Sequence, residues 1–310
     1  MKCNNLHPLL YTLQRNGIGF DCASSDEFAR VRGHEVIYAN PCKARDELVK
    51  AASENIKFCT FDTVEELVKI KQTIQDSRPI LRIHIDDKGG SRIPLNSKFG
   101  LSFDDIATVQ RQRFYGIAFH VGSDCTSLDS YKSAFSTVRQ FVGALSKNKQ
   151  FIPHTLDIGG GFSGRSHRDS FFRDELAPLI RSEVKTLPFW RVIAEPGRFF
   201  AEEACTLDVP IIGRKKGSIT VDDSVYGIFS GVLFDGFKPQ FECITRVGPT
   251  KKFTIFGRTC DSADRIAENV ELPSECAEGD ILRVPYIGAY SYVSASEFNG
   301  FPRPEIQELL

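Results

Sequence analysis

Thr155-Leu156-Asp157-Ile158-Gly159-Gly160-Gly161-Phe162-Ser163-Gly164 decides how the first two-thirds of the chain is read. An apolar run carries a carboxylate, turns through three glycines and leads toward a helical stretch that ends near residue 185. That is a strand handing over to a helix. Gly159, Gly161 and Gly164 formally complete G-x-G-x-x-G, but a dinucleotide fingerprint belongs at a βαβ start, with an acidic residue at the next strand end. Here the run closes the sixth of seven strand-like segments. The more general reading is an anion nest, because glycine lets successive backbone N–H groups turn toward a phosphate. A plain tight turn and a nicotinamide oxidoreductase are the other readings of the same residues.

Outward from this run, strands are expected over 19–22, 35–39, 57–61, 79–85, 115–121, 155–158 and 191–195. Helical patterns fall between them over 6–15, 25–31, 44–54, 64–74, 103–110, 127–145 and 170–185. Ser24 and Thr63 are placed as N-caps, with Glu27 and Glu66 three residues on as capping-box partners. Strand-helix alternation at this spacing means parallel strands with crossover helices. Seven such units suit either an open doubly wound sheet or a barrel one strand short of eight. The polar residues favour the barrel. Asp21, Asn40, Asp62, His120, Asp157 and Glu195 cluster at the strand ends, where the C-terminal mouth of a parallel barrel gathers them into one site. After about residue 203 the helical stretches disappear, and β runs over 206–212, 218–221, 252–256 and 280–285 take over. The expected fold is α/β: a (β/α)8-type barrel lacking its first strand over residues 1–203, and a mostly antiparallel β domain over 204–310.

Composition excludes several classes of function. With 41% hydrophobic and 25% charged residues, the 310-residue chain is globular rather than disordered. Its 39 basic and 40 acidic residues leave a net charge of -1, with no field to hold a nucleic acid. No apolar run reaches the roughly 18 residues of a membrane helix, and Met1-Lys2-Cys3-Asn4-Asn5 has no signal region. The nine cysteines are scattered without a CxxC pair, so neither a metal site nor a disulfide framework is expected, and a cytoplasmic location is.

Five further places in the chain can carry chemistry. Glu195-Pro196-Gly197-Arg198 ends a buried strand with a carboxylate and puts a guanidinium three residues on. The first suits a partner that must stay protonated, the second a phosphate; a barrel-corner salt bridge is the alternative. Phe119-His120-Val121-Gly122-Ser123 sets an imidazole where it can lie flat against a planar ligand, or simply be a satisfied structural histidine. Cys260-Asp261 and Asp235 supply a thiol and two carboxylates from the β domain, or ordinary turn residues. Lys2 is the candidate nucleophile, although a lysine near a terminus is usually only a solvated charge.

Taken together, Lys2-Cys3-Asn4, Gly19-Phe20-Asp21-Cys22-Ala23-Ser24, Ile37-Tyr38-Ala39-Asn40-Pro41-Cys42-Lys43, Leu81-Arg82-Ile83, Lys98-Phe99-Gly100, Phe119-His120-Val121-Gly122-Ser123, Leu156-Asp157-Ile158-Gly159-Gly160-Gly161-Phe162, Glu195-Pro196-Gly197-Arg198, Val225-Tyr226-Gly227, Thr259-Cys260-Asp261, Gly288-Ala289-Tyr290 and Phe298-Asn299-Gly300-Phe301 resemble the eukaryotic-type ornithine decarboxylase family, of the alanine-racemase-like class of pyridoxal-phosphate enzymes. These words run in family order over essentially the whole chain. The resemblance implies that pyridoxal 5'-phosphate is carried on Lys2, with Glu195 on its ring nitrogen and His120 stacked on the ring. Ser123, Gly159, Gly160, Gly161, Arg198 and Tyr290 match the phosphate site. Arg82 and Asp21 match residues near the cofactor, and Glu27 an acid close to the lysine. Asp235 and Asp261 match the pair that receives the substrate's distal ammonium, beside Tyr226. Cys260 matches the thiol that assists protonation of the decarboxylated carbon. It also implies a homodimer with shared active sites, in which Cys260 and Asp261 cross the interface, and an antizyme-like regulator as a further partner.

The implied activity is conversion of L-ornithine to putrescine. The alternatives are a lysine or arginine decarboxylase, and a catalytically inactive, antizyme-inhibitor-like homologue. The family places a strand directly ahead of the cofactor lysine, with more barrel and β-domain chain before it. The chain is therefore read as an N-terminally truncated product, which accounts for the count of seven. Unpaired strand edges, a lysine on an unanchored terminus, and poor folding or a lack of activity are expected to follow. Asp124 and Arg258 depart from the family pattern and add charge beside site residues.

Overall fold

The computed structural model describes residues 1–86, 88–93, 95, 97–147, 151–164 and 170–308. Two compact units make up the chain: Met1–Lys2 with Leu10–Phe199, and Cys3–Leu9 with Phe200–Leu310.

In the first unit the seven strands are β1 Phe20–Cys22, β2 Val36–Tyr38, β3 Phe58–Phe61, β4 Arg78–Arg82, β5 Phe114–Ala118, β6 Phe151–Asp157 and β7 Arg191–Ile193. They form one all-parallel sheet in the order of the sequence. Sequential order with a helix between most neighbours is what right-handed crossovers generate. The inner strands are buried on both faces: Val36, Ile37 and Tyr38 are all covered, as are Cys59, Thr60 and Phe61. This is why they read as continuous apolar runs rather than alternating ones. Ile37, Ala39, Ile80 and Ala118 form a small apolar cluster of their own, distinct from the large one beneath the helices. The long helix Leu128–Leu145 buries Tyr131, Ala134, Phe135, Val138, Phe141 and Leu145 along one stripe, and Phe135 meets Phe119 edge-on at 5.5 Å. Each of the buried Val, Leu and Phe side chains in this stripe contributes about 1.5–3 kcal/mol. At the opposite rim, Arg191 of β7 grips Glu35, just before β2, through both carboxylate oxygens at 2.5 and 2.7 Å. The sheet's last strand is thereby tied to its first two, which is barrel curvature and not an open doubly wound sheet.

Several local expectations need correction. Ser24 and Thr63 do accept the N–H groups of Glu27 and Glu66, at 3.4 and 3.2 Å. The reciprocal halves differ: Glu27 takes the N–H of Ala23, and Glu66 pairs with Lys69 at 2.6 Å and the buried Lys43 at 3.5 Å. The stretch at 103–110 is a 3-10 helix, Phe103–Thr108, and the one at 170–185 opens with a π-helical turn, Phe171–Leu176, before Ala177–Val184.

The second unit carries β8 Leu207–Lys215, β9 Ser218–Val221, β10 Glu242–Cys243, β11 Thr250–Phe256, β12 Arg265–Pro273 and β13 Ile281–Val284. The order is β10-β13-β8-β9-β11-β12, antiparallel throughout except for β9 against β11. β10 and β12 escape the sequence reading. The first is two residues long, and the second loses its alternation where Asn269 adopts φ 57° and the pairing with β11 slips. Helix does not vanish here either: Ile228–Ser230 and Gly231–Phe234 form short turns.

Candidate active site

The parallel register sets the site's floor. Arg82, Ala118, Asp157 and Ile193 are level across four consecutive strands, so side chains at and just past these positions share the mouth of the barrel. Arg82 ends β4, Asp157 ends β6, and His120 and Glu195 stand two residues past β5 and β7.

Asp157 and Glu195 meet carboxyl to carboxyl. Asp157 Oδ1 also accepts the N–H of Gly159 at 2.8 Å. Burial pushes both acids up; the charge of Asp157 pushes Glu195 further, whereas the hydrogen bond with Glu195 holds Asp157 back. The pair therefore shares a proton. Glu195 Oε1 is buried and has no hydrogen-bond partner, and the same holds for Asp21 Oδ1. Lys2 Nζ meets Asp21 Oδ2 at 2.9 Å, and the amino group of Met1 donates to the Asp21 carbonyl at 3.1 Å. The lysine expected on an unanchored terminus is thus held by a carboxylate. Burial alone would raise the Asp21 carboxyl, but the positive charges of Lys2 and the amino terminus outweigh it and hold it below the usual range.

His120 Nδ1 accepts the N–H of Gly122 at 3.0 Å, which fixes that nitrogen as unprotonated. Burial, with Arg82 and Lys2 nearby, pushes the ring down to about 3, so the imidazole is neutral at pH 7. Arg82 stacks over Phe99 at 4.7 Å and feels Glu195, Asp62, Asp157 and Asp21. Buried Arg198, in the short helix Gly197–Ala201, donates to Ser123 Oγ at 3.3 Å. Glu27 lies close enough to feel Asp21 and Lys2; burial raises it. Gly159 has φ 64°, and a Cβ on Gly160 would meet His120 Nε2 at 2.8 Å and the Glu195 carbonyl at 2.9 Å. These glycines are required by close approach and by left-handed backbone, not merely by a turn.

The remaining sequence-derived candidates lie in the second unit. Tyr226 stacks on Phe298 at 4.3 Å and donates its hydroxyl to Asp261, which also takes the N–H of Ala263 at 2.9 Å. Those bonds hold the Asp261 carboxyl below its usual range. Exposed Cys260 lies 3.8 Å from Asn299 Oδ1. Asp235 is buried at the end of the Gly231–Phe234 turn. Tyr290 sits at φ 52° with its N–H on the Cys3 carbonyl at 2.9 Å.

Asp124 and Arg258, the two added charges, are absorbed structurally. Asp124 pairs with Arg92. Arg258 pairs with Asp222 at 3.2 Å, donates to the Pro302 carbonyl at 2.7 Å and stacks on Phe301 at 4.5 Å. Sequence reasoning placed Asp157 at a strand end but missed it as the partner of Glu195; two acids at one level of adjacent strands were the available signal. Phe99 was quoted within Lys98-Phe99-Gly100, but nothing in the sequence placed its ring beneath Arg82. Among the described residues, no cluster is set to hold a metal ion, and no helix is long and apolar enough to cross a membrane.

Residues 1–202 match the family described as pyridoxal-dependent decarboxylase, pyridoxal binding domain. The ornithine decarboxylase of Schizosaccharomyces pombe is 39% identical over 337 residues, covering 99% of this chain and 76% of that protein. Among solved structures, the Paramecium bursaria Chlorella virus arginine decarboxylase bound to agmatine superposes with a TM-score of 0.89 at 32% identity, over 97% of this chain and 85% of that one. The lysine/ornithine decarboxylase from Vibrio vulnificus complexed with cadaverine gives 0.84 at 30% identity, over 96% and 83%.

Pyridoxal phosphate fits what the barrel offers. Glu195 Oε1 is a buried acceptor awaiting a cationic N–H donor. The left-handed and Cβ-intolerant glycines leave backbone exposed beside Ser123 and buried Arg198, which suits a phosphate. A neutral imidazole flanks the same cradle. The match over residues 1–202 falls on the unit that supplies this cradle, and the chain belongs to the pyridoxal-dependent decarboxylase family.

Proposed function

We propose that the chain decarboxylates a basic amino acid, L-ornithine to putrescine in the first instance. The observation that best supports this reading is the buried Oε1 of Glu195, an acceptor with nothing to accept. When bound, pyridoxal phosphate supplies an electron sink for the carbanion left by loss of CO2. Glu195 holds a proton at the ring nitrogen through Oε1, and Asp157 restrains its other oxygen. A cation against Oε1 favours the ionised carboxylate and opposes the effect of burial. Neutral His120 lies against the ring without competing for charge. Lys2 holds the cofactor, and Asp21 keeps the lysine ammonium in place. Arg82 balances the surrounding acids. Ser123, Gly159, Gly160, Gly161, Arg198 and Tyr290 bind the phosphate. Asp235 and Asp261, the latter fixed by Tyr226, receive the distal ammonium of the substrate. A neutral tail would leave these carboxylates unpaired. Cys260 delivers a proton to the reacting carbon. The working form is a cytoplasmic homodimer in which Cys260 and Asp261 serve the partner's site, and an antizyme-like protein is its regulator.

The likeness to an arginine decarboxylase and to a lysine/ornithine decarboxylase keeps a longer tail as the second reading. Measuring CO2 release from ornithine, lysine and arginine decides between them. Borohydride reduction of the holoprotein, with mapping of the pyridoxyl group, tests the site itself. A label on Lys2 is expected; a label elsewhere, or none, overturns the assignment and returns the chain to an inactive homologue.

A further inference from the structure

The six-stranded sheet of the second unit ends on β10 at one side and on β12 at the other, and these two edges adjoin. β10 pairs only two residues with β13, Glu242 with Arg283 and Cys243 with Leu282. Beyond β12 the chain turns, and Cys276 N–H donates to the Pro273 carbonyl at 3.0 Å. Arg214 braces that turn, donating to the carbonyls of Cys276 at 2.6 Å and Ser274 at 2.8 Å. Asp280 ties the two segments to each other. Its Oδ1 accepts from Thr245 Oγ1 at 3.0 Å, and its Oδ2 accepts from Arg246 Nε at 2.6 Å and Ala277 N–H at 2.9 Å. Held between these clamps are two thiols in hydrogen-bonding contact. Cys276 is fully buried in the apolar core; Cys243 packs against that core and is partly open to solvent.

We propose that Cys243 and Cys276 form an oxidation-responsive pair that closes into a disulfide on reaction with a small-molecule disulfide of the glutathione class, joining β10 covalently to the turn that follows β12. The accessible Cys243 thiolate attacks one sulfur of the small disulfide and expels one thiol. Cys276 then gives its proton to water and attacks the Cys243 sulfur, expelling the second. Two protein thiols are oxidised and one small disulfide is reduced to two thiols. Burial and the neighbouring Cys243 push the Cys276 thiol up to about 12, so Cys243 is the point of entry and ring closure speeds up as pH rises. The reducing interior expected of the compartment keeps the pair open until that poise shifts.

The test is peptide mapping of the holoprotein without reduction, after incubation with glutathione disulfide. A linked peptide containing Cys243 and Cys276 is expected, with a melting temperature raised by about 5 °C. Dithiothreitol reverses both changes. Cys243→Ala removes the link and the shift, and keeps decarboxylase activity within about twofold, since Cys243 lies outside the proposed machinery. Cys276→Ala leaves glutathione stranded on Cys243; if that variant fails to fold, the wild-type map and Cys243→Ala decide alone. Glutathione persisting on wild-type Cys243, a link from Cys243 to another cysteine, or both thiols remaining alkylatable overturns the proposal.

Discussion

Asp157 and Glu195 stand on neighbouring strand ends with their carboxyl groups bonded to each other, and Glu195 keeps its second oxygen buried and unpartnered. One acid positions the other and leaves a single acceptor for a cation. Glu195→Gln is therefore expected to act in opposite directions on two readouts. In the holoprotein it removes a charge-assisted hydrogen bond worth about 1.5–3 kcal/mol, which lowers kcat roughly 10- to 150-fold. In the cofactor-free protein it replaces an acid whose ionisation burial opposes with a neutral amide, and the melting temperature holds or rises. CO2 release and thermal melts check the two arms; an unchanged kcat would falsify the role given to Oε1.

The same mouth makes stability depend on pH in two opposed ways. His120 is neutral in the folded chain down to about pH 3, whereas its unfolded counterpart takes a proton near 6.5. The unfolded state binds the extra proton first, so this contribution is present above pH 6.5 and is lost as pH falls toward 3. Asp157 runs the other way. Burial raises it to about 7, so its contribution is present below its unfolded value of 3.8 and is lost as pH rises through about 7. His120→Asn keeps an acceptor for Gly122 and is expected to flatten the acid limb of urea-melt stability in cofactor-free protein. Asp157→Asn is expected to flatten the limb between pH 4 and 7. Unchanged slopes would mean that neither group titrates in this way.

The sheet was legible because parallel strands buried on both faces write themselves as apolar runs, as Val36-Ile37-Tyr38 does. The site was legible because the polar residues that break those runs collect at one end. What sequence could not supply was pairing across strands. Nothing in the one-dimensional order of Asp157 and Glu195 says that their side chains touch, nor that Arg92 and Pro302 neutralise and anchor the two unexpected charges. β12 escaped for a related reason: its bulge against β11 erases the period of two on which strand reading depends.

Two adjacent glycine substitutions should separate folding from binding. A Cβ on Gly159 would lie 2.1 Å from the Phe119 carbonyl oxygen, on a residue at φ 64°. Gly159→Ala is expected to give little soluble protein. At Gly160 the nearest contacts are His120 Nε2 at 2.8 Å and the Glu195 carbonyl at 2.9 Å, two groups of the site. Gly160→Ala is expected to fold and to lose cofactor affinity by about tenfold or more, since a misplaced ring contact costs roughly 1–3 kcal/mol. Titration with pyridoxal phosphate, followed by absorbance, reads the loss; wild-type affinity in this variant would remove His120 and Gly160 from the cofactor site.

Tyr226 gives a way to test the substrate tail without touching the cofactor cradle. Its hydroxyl donates to Asp261 and is stacked in place by Phe298 at 4.3 Å. Asp261 has a second anchor, the Ala263 N–H at 2.9 Å, so Tyr226→Phe loosens the carboxylate without releasing it. Because this pair faces solvent, screening limits the effect. KM for ornithine is expected to rise about three- to tenfold, with kcat within about twofold, the signature of lost uniform binding. The stacked ring remains, so thermal stability should change little. Steady-state kinetics with ornithine and lysine check this. A fall in kcat at constant KM would move Asp261 from the tail to the reacting carbon, and an equal loss for a substrate lacking the distal ammonium would remove it from recognition altogether.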